Sequence, residues 1–165
     1  MIITNAIQVL AGLIGSIGFA VLFNIRGKRL VASSIGGGLS WLLYLLLNTY
    51  ISNEAVNYFI VSVIISVYAE IMARLLKTPT TTFITVSLIP LIPGASLYYT
   101  MAHAFDGNYS SFLQKGLLTL QLASSLALGI ILATAFARII NNLFSSSHKG
   151  HTFSYSKYQK NKENS

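Results

Sequence analysis

The sequence predicts an all-α integral membrane protein, a bundle of about five transmembrane helices with the fourth broken at Pro90 and Pro93-Gly94. Three observations carry that reading. The 165 residues hold 11 Lys and Arg against 4 Asp and Glu, so charged residues make up 9% of the chain, where a soluble domain carries about a quarter. Hydrophobic residues reach 53% and the mean hydropathy is +0.64. Charge-free runs cover Met1 to Ile25, Leu30 to Asn53, Ala55 to Ala69, Thr78 to Phe105 and Gly116 to Ala137. Most of these runs meet the ~18 to 20 residues needed to cross about 30 Å of hydrocarbon. This composition excludes an ordinary water-soluble enzyme. Closed barrels are excluded because the apolar runs are continuous rather than alternating.

The first span, about residues 2–24, has no basic region ahead of its apolar stretch, so a mature helix is expected rather than a signal peptide. Ala11 with Gly15, and Gly12 with Ser16, lie four residues apart and give close-packing stripes. Gly12, Gly15 and Gly18 do not form a dinucleotide fingerprint, since the spacing differs and no strand precedes them. In the second span, about 30–50, the run Gly36-Gly37-Gly38 marks a loosened turn or a close helix contact. The third, about 55–76, runs past Glu70, which interrupts its charge-free stretch near one end. The fifth, about 116–138, carries Gln121, Ser125, Gly129, Ala133 and Ala137 at intervals of four. That stripe packs a neighbouring helix of the same chain or docks another subunit.

Orientation follows from the Lys and Arg of short loops. If the spans alternate, Arg26, Lys28, Arg29, Arg74, Lys77, Arg138, Lys149, Lys157, Lys160 and Lys162 share one side, and only Lys115 lies opposite. A cell-membrane protein with its N-terminus outside and its C-terminus cytoplasmic is expected. The excess positive charge thus belongs to membrane orientation rather than to nucleic acid. Residues 141–165 have too few apolar side chains for a packed core and are expected to be a disordered, basic cytoplasmic tail.

The fourth span, about 81–101, reads FITVSLIPLIPGASLYYTM from Phe83 to Met101. Pro90 and Pro93 lack N–H groups, so the carbonyls of Val86 and Ile89 lose their usual helical partners. Either the helix unwinds there, or neighbouring helices absorb a kink. A broken helix presents a new N-terminus, where the N–H groups of Ala95 and Ser96 face an anionic group such as a carboxylate. Tyr98, Tyr99 and Thr100 follow, lining an exit or belonging to an interfacial aromatic belt. Pro90, Pro93, Gly94, Ala95, Ser96, Tyr98 and Tyr99 are therefore the candidate substrate pathway.

Glu70 and Arg74 stand four residues apart, acid before base, on one helical face. A carboxylate at that depth is a candidate for proton or ion coupling, or one half of an interfacial ion pair that ends the helix. Histidines add little, with His103 near Asp106 and His148 and His151 in the polar tail, and no metal site is expected. The absence of cysteine removes thiolate metal sites and cysteine nucleophiles. No hydrolase elbow, phosphate-binding loop or paired catalytic carboxylates occur, so no catalytic residue and no cofactor are assigned.

Lys77-Thr78-Pro79, then IPLIPG from Ile89 to Gly94, then Tyr98-Tyr99, within a five-span chain, resembles the threonine/serine exporter (ThrE) family. It looks most like the small-subunit YjjB-like type and the C-terminal half of fused exporters. The resemblance runs roughly from Asn5 to Ile140 and is sharpest at Pro90, Leu91, Pro93 and Gly94. It implies export of threonine and serine, or of a small dicarboxylate, driven by the proton motive force without a cofactor. It also implies a larger family subunit as partner, with a homo-oligomer as the other assembly. The alternative class is a membrane structural or assembly subunit with no pathway of its own.

Overall fold

In the computed structural model the backbone is described for residues 2–163 and the side chains for residues 3–140. The tail expected to be disordered at 141–165 falls on residues whose side chains lie outside that description. The described residues form α1 (Ile2–Leu22), α2 (Lys28–Asn48), α3 (Glu54–Leu75), α4 (Thr80–Leu88), a 3-10 turn (Ile89–Leu91), α5 (Gly94–Phe105) and α6 (Tyr109–Glu163). Four helices, Ile3–Leu22, Lys28–Asn48, Glu54–Leu75 and Tyr109–Ile140, are each long and apolar enough to cross a membrane. Thr80–Leu91 and Gly94–Phe105 qualify together as a fifth, joined through a 56° bend. The all-α fold and its broken fourth member are as the sequence predicts.

Local chemistry explains the boundaries. Gly27, with φ 63°, turns the chain into α2, and Gly107, with φ 68°, turns it toward α6; glycine takes that left-handed conformation without steric cost. Asn53 caps α3 by accepting from the N–H groups of Ala55 and Val56 at 3.0 and 3.4 Å. Glu54 in the first turn and Arg74 in the last complement the helix dipole. Helix α6 starts at Tyr109 and runs through Lys115, ahead of the charge-free run that marks the expected fifth span. A long lysine stem lets a helix pass a charge by snorkelling.

The interior mixes apolar side chains with many small hydroxyls, while the perimeter is large and apolar. Ser16, Ser33, Ser40, Ser62 and Ser87 are fully buried, whereas Ile7, Leu10, Ile14, Leu128, Ile131 and Phe136 are exposed. An apolar exterior around buried serines departs from a soluble bundle and fits helices packed by close approach in lipid. Helix α2 lies centrally, touching α1, α3 and α4, while α6 packs along α3 and α5. The main core joins Tyr58, Val61 and Ile65 of α3 to Leu88, Leu91 and Leu122. A second cluster gathers Ala69, Ala73 and Phe83 at the end of the bundle that carries Lys77.

The glycine run of α2 is a close contact. A Cβ on Gly36 would overlap Ser87 Oγ of α4, and one on Gly37 would overlap Ser16 Oγ of α1. Gly129 of α6 faces Ser62 and the Phe59 carbonyl of α3 in the same way. Ser125 of the same stripe is half-buried and Ala133 buried. On α1, Gly12 packs near Trp41 and Pro90, whereas Gly15 has no atom within 4 Å of where its Cβ would stand.

Candidate functional site

Two constellations sit at the two ends of α4. At one end, Pro90 opens a single 3-10 turn and Pro93 precedes α5. The carbonyls of Val86 and Ile89 lose the donors four residues on, as the two prolines dictate, but they are not left free. The Ile89 N–H donates to the Val86 carbonyl and the Ile92 N–H to the Ile89 carbonyl at 3.1 Å. When the normal donor four residues on is a proline, the N–H three residues on takes its place by tightening the turn.

The donor side of the break differs. Pro93 gives α5 no side-chain cap; Gly94 N–H reaches the Ile92 carbonyl at 2.6 Å and Leu97 N–H the Pro93 carbonyl at 3.0 Å. Ala95 and Ser96, in between, are the positions whose N–H groups a helix start leaves without an intrahelical partner. Gly94 and Ala95 are exposed on the flank of the bundle, and Leu91 just before them is fully buried. Tyr98 and Tyr99 are also exposed and stand edge to face, with ring centroids 5.5 Å apart.

Past the break, α5 leaves α4's direction and packs on α6. Hydroxyls bridge the two helices. Ser96 Oγ lies 2.8 Å from Thr119 Oγ1, and Thr100 Oγ1 lies 3.3 Å from the same atom. Thr100 also donates to the Ser96 carbonyl and Thr119 to the Lys115 carbonyl, both at 2.8 Å. Thr119 is a member of this site that sequence reasoning missed. A threonine inside an apolar span carries no signal of its own, because it ordinarily bonds back to its own helix.

At the other end of α4, Glu70 is held through both oxygens. Arg74 donates to Oε1 from Nη2 at 3.1 Å and from Nε at 3.3 Å, and Thr80 Oγ1 donates to Oε2 at 2.8 Å. The Glu70 side chain is 20% exposed and that of Arg74 47%. Arg74 thus reaches outward while the carboxylate stays partly covered. A cleft of about 570 Å³ opens beside the pair between α3 and α6, lined by Val67 and Ile71 on one wall and Leu132, Phe136 and Ala137 on the other. Thr80 was also missed, since its partner lies ten residues back across a helix turn.

The two constellations are separated by the length of α4, about 15 Å at 1.5 Å per residue. Among the described residues, no group of three or more His, Cys, Asp or Glu side chains gathers into a metal cage. His148 and His151 lie outside the described side chains.

A family model described as Threonine/Serine exporter, ThrE, matches residues 8–136. No curated protein and no solved structure matches the chain.

Proposed function

Since the chain belongs to the threonine/serine exporter family ThrE, we propose that this multi-pass membrane protein is one half of an exporter for small hydroxy amino acids or a small dicarboxylate. The observation that carries this is the uncapped start of α5 on the flank of the bundle. Lipid tails offer no acceptor to backbone N–H groups at mid-membrane depth, so irregular backbone persists there only against protein or a water-filled cavity. A second bundle laid over this flank converts the break into an enclosed site. The N–H groups of Ala95 and Ser96 then receive the substrate carboxylate at a helix N-terminus.

The larger family subunit is the proposed second bundle, with a second copy of this chain as the competing one. Glu70 is the proposed proton carrier, because an ionisable side chain within a span is functional by default. The N-terminus is taken as outside and the C-terminus as cytoplasmic, from the basic loops.

The test is reconstitution of the chain in vesicles with and without the larger subunit, followed by threonine, serine and succinate flux under an imposed pH gradient. Flux is expected only from the pair. Flux from the single chain would make it a working homo-oligomer. Efflux unchanged when this chain is left out of the pair would make it an assembly subunit.

A further inference from the structure

We infer that Thr80 is a positioning residue, whose hydroxyl fixes the Glu70 carboxylate and ties protonation of that carboxylate to the position of α4. The inference rests on the proposed coupling role of Glu70 and deepens it.

Helix α4 is short, nine residues from Thr80 to Leu88, and Pro79 at its start gives it no side-chain cap. One end of α4 runs into the break. Its other end is tied to α3 through Thr80 Oγ1, which donates to Glu70 Oε2 at 2.8 Å. The same carboxylate takes both Arg74 donors on Oε1. Ionised Glu70 therefore joins a fixed cation on its own helix to the first residue of the half-helix that leads to the break.

A proton taken up from water on Oε2 turns that oxygen from acceptor into donor. Thr80 must then rotate and accept, and the bond loses its ionic character, which roughly halves its strength. The attraction of Arg74 falls at the same time. The tether of α4 is thus strong when Glu70 is charged and weak when it is neutral. Because a 3-10 turn links α4 to α5, movement at the Thr80 end is carried to Pro90 and Gly94.

Few other charges face the carboxylate. From α6 the cleft presents Leu132, Phe136 and Ala137, none of which titrates. From α4 it meets the Thr80 hydroxyl, and on α3 itself Arg74. Tyr68, two residues earlier on α3, is occupied with the Ala32 carbonyl of α2 at 2.8 Å. Arg26, Lys28, Arg29, Lys77 and Arg138 are exposed around this end.

The chain has no native cysteine, so the test uses Thr82→Cys on α4, in lipid nanodiscs with both faces open, labelled by a maleimide from about pH 3 to about pH 7, a range that reaches below the ordinary glutamate value because donors to an ionised carboxylate favour its charged form. Each rate is divided by that of an exposed reference, Lys28→Cys, which removes the thiol titration common to the two positions. The normalised rate is expected to rise about tenfold as the pH falls, the equivalent of roughly 1.4 kcal/mol. With Thr80→Val the rate should be high and flat, and Thr80→Ser should restore the dependence. With Glu70→Gln it should be flat as well. A full pH dependence in Thr80→Val, with Glu70→Gln flat, overturns the role of Thr80 and leaves Glu70 as the titrating group. A full pH dependence in Glu70→Gln overturns the coupling role of Glu70 itself, and the tether with it.

Discussion

A methyl group placed on Gly37 would strike Ser16 Oγ, whereas one placed on Gly129 would meet both Ser62 Oγ and, at 2.9 Å, the Phe59 carbonyl. The two substitutions therefore differ in what can yield. Gly37→Ala should destabilise the protein by about 1 to 3 kcal/mol, the usual cost of overpacking, and Ser16→Gly should recover most of it by vacating the space. Gly129→Ala should cost at least as much, and Ser62→Gly should recover only part, because backbone stays in the way. Thermal stability in detergent, measured on each single and double variant, checks both; full rescue at Gly129 would show that α6 simply slides. At this scale the sequence was legible only as spacing. Three consecutive glycines announced either a loosened turn or a close contact, and nothing near Gly36 in the chain names Ser87 as the neighbour. Thr80 and Thr119 stayed hidden for the same reason, since their partners lie ten and 23 residues away.

The broken helix is the element whose form was most legible, because proline acts on its own backbone. Two missing N–H groups three residues apart dictate an interruption whatever surrounds them. Two features were not legible: the 3-10 turn that re-engages the Val86 and Ile89 carbonyls, and the swing of α5 onto α6. The swing depends on Thr119 and on the small Gly116, whose Cβ would stand 3.4 Å from Thr100 Cγ2, and these lie on another helix. Pro90→Ala with Pro93→Ala should replace the 3-10 bonds to both carbonyls with ordinary helical ones, straighten the 56° bend and draw α5 away from α6. The pair Ser96→Cys and Thr119→Cys reports this, since hydroxyls 2.8 Å apart mark positions near enough for a disulfide. Rapid oxidative cross-linking is expected with the prolines present, and slow cross-linking with export lost when both are replaced. Undiminished cross-linking and efflux in the proline-free protein would reduce the motif to a packing kink.

For the whole molecule, the open question is whether α4 and α5 together cross the bilayer or enter and leave by the same face. By length and composition the chain has four crossing helices, or five if the bent pair counts as one. Charge separates the two. With five crossings, Arg26, Lys28, Arg29, Arg74, Lys77, Arg138 and the lysines of the tail share one side, leaving Lys115 opposite. With four, α6 reverses, and Arg138 and the whole tail move away from the basic loops, splitting the positive charge between the faces. Basic residues near span ends are retained on the cytoplasmic side, so the five-crossing arrangement is the one this chain should adopt. Counting charge-free runs sufficed to find the helices long and apolar enough to cross, because that is a local property of each segment. Single cysteines at Ser52 and Ser110, both exposed, should therefore react with an impermeant maleimide added to intact cells. Cysteines at the exposed Thr81 and at Ser146 in the tail should react only after the cells are opened. A re-entrant α4–α5 pair would give a different pattern: Ser110 would join Thr81 on the protected side, and Ser146 would label from outside.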